Sequence, residues 1–199
     1  MAIITLPTLA AAAMSIQLIR ADNPIKMMGG GEVIAASTEA LWVVSFKLRS
    51  EKPGANGRDW FATLAQLSNL ENTCKVSPVG LEIGSGYGGP NPLVAGASQL
   101  GLTLAVDGTS SSTTFGLKGD PLEVNGEFKV FTVDATSNGA GLETIAFEPA
   151  LRASPSNNAT VNVKTPRLTC RLVAPIAELS TLLGGFYDMT VTLVETYRP

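Results

Sequence analysis

The second half of the chain lets no single conformation run for long. From Leu100 to Tyr197, short alternating stretches are cut by Gly, Asn, Asp and Pro: LGLTLAVDG, STTFGLKGD, PLEVNGEFKVFTVDA, GLETIAFEP, ATVNVKT, RLTCRLVA and MTVTLVETY. A period of two puts alternate side chains on opposite faces of a strand. Asp107-Gly108 and Asn125-Gly126 offer the positive-φ residues that tight hairpins need. Strand after strand with turn chemistry between them predicts a mostly β barrel or sandwich.

The first half is mixed. MSIQLIR at 14–20 alternates like a strand, ADNP at 21–24 reads as a turn, and MMGGGE at 27–32 as a flexible corner. In LWVVSFKLR at 41–49, Trp42, Val44, Phe46 and Leu48 fall on one face, and Val43, Ser45, Lys47 and Arg49 on the other. EKPGANG at 51–57 reads as a loop. Within RDWFATLAQLSNL at 58–70, Trp60, Leu64 and Leu67 recur at helical spacing with Phe61 beside them, and Asp59 would bring a carboxylate near the N-terminus. PIAELSTLLGG at 175–185 could form a second short helix ended by Gly184 and Gly185. No repeat recurs at a fixed period. Residues 1–199 therefore read as one domain with a Gly/Pro-rich loop at about 79–98.

Composition narrows the function. Of 199 residues, 45% are hydrophobic and only 16% charged, a thin supply for a fully solvated surface, so part of the surface is expected to be buried against partners. The net charge of −3 offers no basic wrapping surface for nucleic acid. Histidine is absent, which removes the commonest general base and transition-metal ligand. Cys74 and Cys170 alone do not make a zinc site, and they read as reduced core residues of a cytoplasmic product, with a disulfide left open. MAIITLPTLAAAAMSIQLIR lacks a basic residue before its apolar stretch, so no export signal is expected; no uninterrupted apolar run is long enough for a transmembrane helix.

GSGYGG at 84–89 fits G-x-G-x-x-G through Gly84, Gly86 and Gly89. A dinucleotide turn needs a helix at its last glycine to hold the pyrophosphate. Here Pro90, Asn91 and Pro92 follow, and Pro92 pushes Asn91 away from helical geometry. The expectation is a mobile or partner-contacting loop. The carboxylates Asp107, Asp120, Glu123, Glu127, Asp134, Glu143 and Glu148 are scattered, several beside turns. Asn158-Ala159-Thr160 fits a glycosylation sequon but has no export signal behind it. Arg152, in EPALRAS, could clamp a carboxylate of a neighbouring subunit or pair within its own fold. No catalytic residue, cofactor or metal ligand is expected.

Several segments, in order, resemble the distal tail proteins of long-tailed, siphovirus-type bacteriophages. In that family a strand of the f-x-L-x-R-x-N type leads to a W-x-x-x-F strand and then a helix; here these are SIQLIRADN (15–23), WVVSF (42–46) and DWFATLAQLSN (59–69). The second half resembles it through GDPLEVNGEFKVFTVDATSNGAGLETIAFEPALRASPSNNATVNVKTPRLTCRL (119–172), and VTLVETY (191–197) fits its terminal strand. The 79–98 loop departs from the pattern.

The resemblance implies a tail-tube-like β-barrel or sandwich with one packed helix. It implies a virion protein, assembled in the host cytoplasm, whose six copies form a ring at the tail tip between the tail-tube protein and the hub and tip proteins. DNA would pass through the ring without specific binding, and no membrane would be contacted. Head-to-tail closure buries two surfaces per subunit, and acidic walls would let DNA slide. Glu123, Glu127 and Asp134 are the expected channel-facing acids, and Arg152 the expected inter-subunit contact. A tail-tube or terminator subunit is the nearest alternative, and a β-sandwich carbohydrate-binding module or hydrolase the alternative of another class.

Overall fold

The structure, a computed structural model, describes residues 2–7, 11–20, 23–26, 32–35, 40–51, 55–69, 71–77, 84–173, 180–182 and 186–196. In chain order its elements are β1 (Ile3–Ile4), β2 (Ala11–Arg20), β3 (Asn23–Lys26), β4 (Glu32–Ala35), β5 (Ala40–Glu51), α1 (Ala55–Leu67), β6 (Thr73–Val76), β7 (Leu93–Val94), β8 (Gly101–Asp107), β9 (Thr114–Gly116), β10 (Pro121–Val124), β11 (Glu127–Phe131), β12 (Ala135–Thr136), β13 (Glu143–Leu151), β14 (Val161–Asn162), β15 (Leu168–Leu172), β16 (Ser180–Leu182) and β17 (Phe186–Glu195). The protein is mostly β, with one helix among the described residues, as the alternation predicts. Two compact units emerge: Met1–Gln17, Trp42–Gly80 and Arg167–Arg198 form the first, and Leu18–Leu41 with Leu81–Pro166 the body of the second. The sequence reads as one domain because both units are discontinuous and no linker-like composition marks their borders.

The first unit holds a sheet in the order β1-β6-β15-β17-β5-β2, with β16 also paired to β17. Register partners Val76–Leu168, Cys74–Cys170, Leu172–Leu193 and Val191–Phe46 put one row of buried side chains on one face. Trp60, Leu64 and Leu67 of α1 are buried, and the Trp60 ring meets Phe46 edge-on at 5.7 Å, so the helix covers that face. Phe61 is exposed instead of joining them. The helix starts at Ala55, inside the stretch read as a loop, because the first turn has unpaired N–H groups in any case and tolerates Asn56 and Gly57. Asp59 consequently lies beyond the first turn and does not cap it. Of the helix expected at 175–185, Ser180–Leu182 is a strand paired with β17, and the remainder lies outside the described residues. Of the turn expected at 21–24, Asn23 and Pro24 instead begin β3, paired with β4, and of the corner expected at 27–32, Glu32 begins β4; the rest of both lies outside the described residues.

The second unit is an antiparallel sheet in the order β14-β10-β11-β13-β8-β7. Its end strands are themselves joined: Leu93 bridges Thr160, Val94 N–H donates to Ala159 O, and Val161 N–H donates to Pro92 O. The sheet is thereby nearly closed into a barrel, which removes the open edges that invite aggregation. Leu104, Val106, Phe115, Leu122, Val124, Phe131, Ile145, Phe147 and Val161 fill its core. Asn125 and Gly126, at φ 52° and 75°, make the expected tight turn between β10 and β11. Asp107-Gly108 does not make a two-residue hairpin: β8 pairs β13 and β7, whereas β9 pairs β12. Beyond the reach of β7, the Gln99 side chain stands in for a missing strand, accepting from Ala105 N–H at 2.7 Å and donating to Ala95 O at 2.9 Å.

Candidate functional site

The glycine turn is tied to the barrel through Asp120. This carboxylate is 5% exposed and accepts three backbone N–H groups: Gly84 at 2.7 Å, Leu117 at 3.0 Å and Ser85 at 3.1 Å. Such amides would hold a phosphate in a nucleotide turn; here an internal carboxylate takes that place. Tyr87 packs on Phe115 with ring centroids 6.1 Å apart, and its hydroxyl accepts from Ser110 N–H. A side chain at Gly89 would collide with the Tyr87 ring. Pro92 and Val94 then make the seam of the barrel. Residues 84–94 of the segment read as a mobile or partner-contacting loop are thus fastened to the barrel, at Asp120 and at the seam, whereas residues 79–83 lie outside the described residues.

A second polar cluster lies under β11. Glu127 and Lys129 are both fully buried, with Lys129 Nζ 2.6 Å from Glu127 Oε2. Lys129 also donates to Ala150 O at 2.8 Å, and Glu127 accepts the N–H groups of Arg152 and Ala153. These contacts satisfy charges that would otherwise be costly to bury.

The expected channel acids do not form a group. Glu127 is a correction: residues 150–153 cover it, and a fully buried carboxylate faces no channel. Glu123 is half-buried on β10 and receives Asn162 Nδ2 at 3.4 Å, whereas exposed Asp134 lies past the far end of β11 and accepts Lys118 N–H at 2.8 Å. Arg152 sends its guanidinium to Ala40 O at 2.5 Å, the in-fold alternative to an inter-subunit clamp. Asp120 and Lys129 carry the architecture, yet a turn aspartate and an E-x-K strand pattern gave the sequence no signal of it.

An open groove lined by Ala95, Ala105, Val106, Asn138, Leu142, Glu143 and Thr144 brings in one carboxylate, not the facing pair that glycoside hydrolysis uses. Among the described residues, no group of three or more Cys, Asp or Glu is placed to hold a metal, and no helix is long and apolar enough to cross a membrane.

Cys74 and Cys170 are fully buried. Lost hydration pushes the Cys74 thiol up to about 12; Cys170 is pushed higher still, with smaller contributions from Cys74 and Glu195. Unfolding lets both titrate at about 8.5. The folded chain then keeps protons that the unfolded chain releases, so this contribution is whole below that pH and falls as pH climbs towards the folded values. Under reducing conditions, stability is expected to fall above about pH 9 by up to about 1.4 kcal/mol per pH unit for each thiol. Urea unfolding across that range checks this: Cys74→Ala should flatten the slope, and an unchanged slope would contradict it.

The chain matches no model of a known protein family and no curated protein.

Proposed function

We propose that this chain is a structural subunit of a phage tail tip, forming a hexameric ring that joins the tail tube to the hub and leaves a passage for DNA. The observation that carries the reading is that the buried charged side chains of the second unit serve its own architecture: Asp120 holds the seam segment, and Glu127 with Lys129 holds the 150–153 segment against β11. The ordered motifs at 15–23, 42–46, 59–69, 119–172 and 191–197, which resemble those of the distal tail proteins, support it. A chain only 16% charged suits burial of part of its surface in an assembly.

Size exclusion with light scattering, followed by negative-stain imaging, tests the reading. Closed six-fold rings are expected. Open-ended tubes would favour a tail-tube subunit that stacks on itself, and a monomer stabilised by added sugar would favour a carbohydrate-binding module.

A further inference from the structure

Cys74 and Cys170 are direct register partners across the antiparallel β6–β15 pair. Such partners have Cα atoms about 4.5–5.5 Å apart, within the roughly 4.4–6.8 Å that a disulfide spans. The Cys74 thiol already leans towards its partner, 3.7 Å from Cys170 O, and both thiols are free. Their position in the chain gives the pair a role. The long segment Leu81–Pro166 leaves the first unit after β6 and returns to it just before β15.

We propose that Cys74 and Cys170 are a redox couple: a dithiol while the chain folds under reducing conditions, and an intrachain disulfide clamping the two strands that flank this insertion once a small disulfide oxidant is present. One cysteine thiolate attacks a sulfur of glutathione disulfide and releases one glutathione. The second thiolate attacks the protein sulfur of the mixed disulfide and releases the other. The protein loses two electrons and its two thiol protons; the glutathione disulfide gains them as two thiols. Burial keeps the thiols protonated, so exchange is slow in the folded sheet and speeds up when the face that α1 covers opens. This inference is independent of the tail-tip reading.

The test incubates the full chain with glutathione disulfide, in buffer and in urea near the unfolding midpoint. Non-reducing peptide mass analysis and thermal unfolding after urea removal follow. A Cys74–Cys170 cross-link is expected, forming faster in urea and compatible with refolding. With the cysteines 96 positions apart, the cross-link should raise the melting temperature by about 10 °C, reversed by dithiothreitol. Only glutathionylated chains, only intermolecular dimers, no cross-link in either condition, or a cross-linked chain that melts lower or fails to refold would overturn the proposal.

Discussion

Asp120→Ala is expected to destabilise the barrel by about 3 kcal/mol, because three N–H groups lose one buried charged acceptor. The effect should be local before it is global. Gly84, Ser85 and Leu117 amides should exchange with solvent much faster, and the seam at Pro92 and Val94 should loosen with them. Asp120→Asn should rescue little. One amide oxygen can still serve Gly84, but the NH2 group then faces Ser85 and Leu117 as donor against donor. Urea unfolding together with amide exchange reads both effects. Unchanged exchange at Gly84 and Ser85 in the alanine variant would show that the turn is held by something else.

Lys129→Met should be as severe, costing about 3–5 kcal/mol, because it leaves Glu127 charged and buried without its cation. The remedy separates charge from shape. In the Glu127→Gln, Lys129→Met double variant neither charge of the pair remains, and the introduced amide oxygen can still accept from Arg152 and Ala153 N–H. Most of the lost stability should return. Equilibrium unfolding of the single and double variants forms the cycle that measures the coupling. A double variant as unstable as Lys129→Met would mean that the lost Lys129–Ala150 hydrogen bond, not the uncompensated charge of Glu127, sets the cost.

What the sequence reveals follows from how local each signal is. Alternation places β5, β13, β15 and β17; the Asn125-Gly126 turn follows from backbone φ alone; Trp60, Leu64 and Leu67 mark the helical face that is buried. The polar architecture is hidden because it depends on distant partners. Asp120 and Gly84 are 36 positions apart, and Glu127 and Arg152 are 25 apart. An E-x-K strand has the same alternation whether water or another segment lies over it, which is why Glu127 reads as a channel acid and is a core one. Nothing in the sequence around Gln99 announces that its amide pairs with Ala105 as a peptide unit would. The GSGYGG motif shows the same limit: glycine spacing reports available N–H groups but not which anion fills them.

The proposed function makes this chain part of a virion, and the most direct measurement of that proposal is an electron cryo-microscopy reconstruction of the tail tip that would contain it. Six copies in one ring at the distal end of the tail tube, each fitting the barrel with its closed β7–β14 seam, is the predicted result. A tail tip whose ring is built wholly from other chains, with no density for this one, would contradict the proposed function.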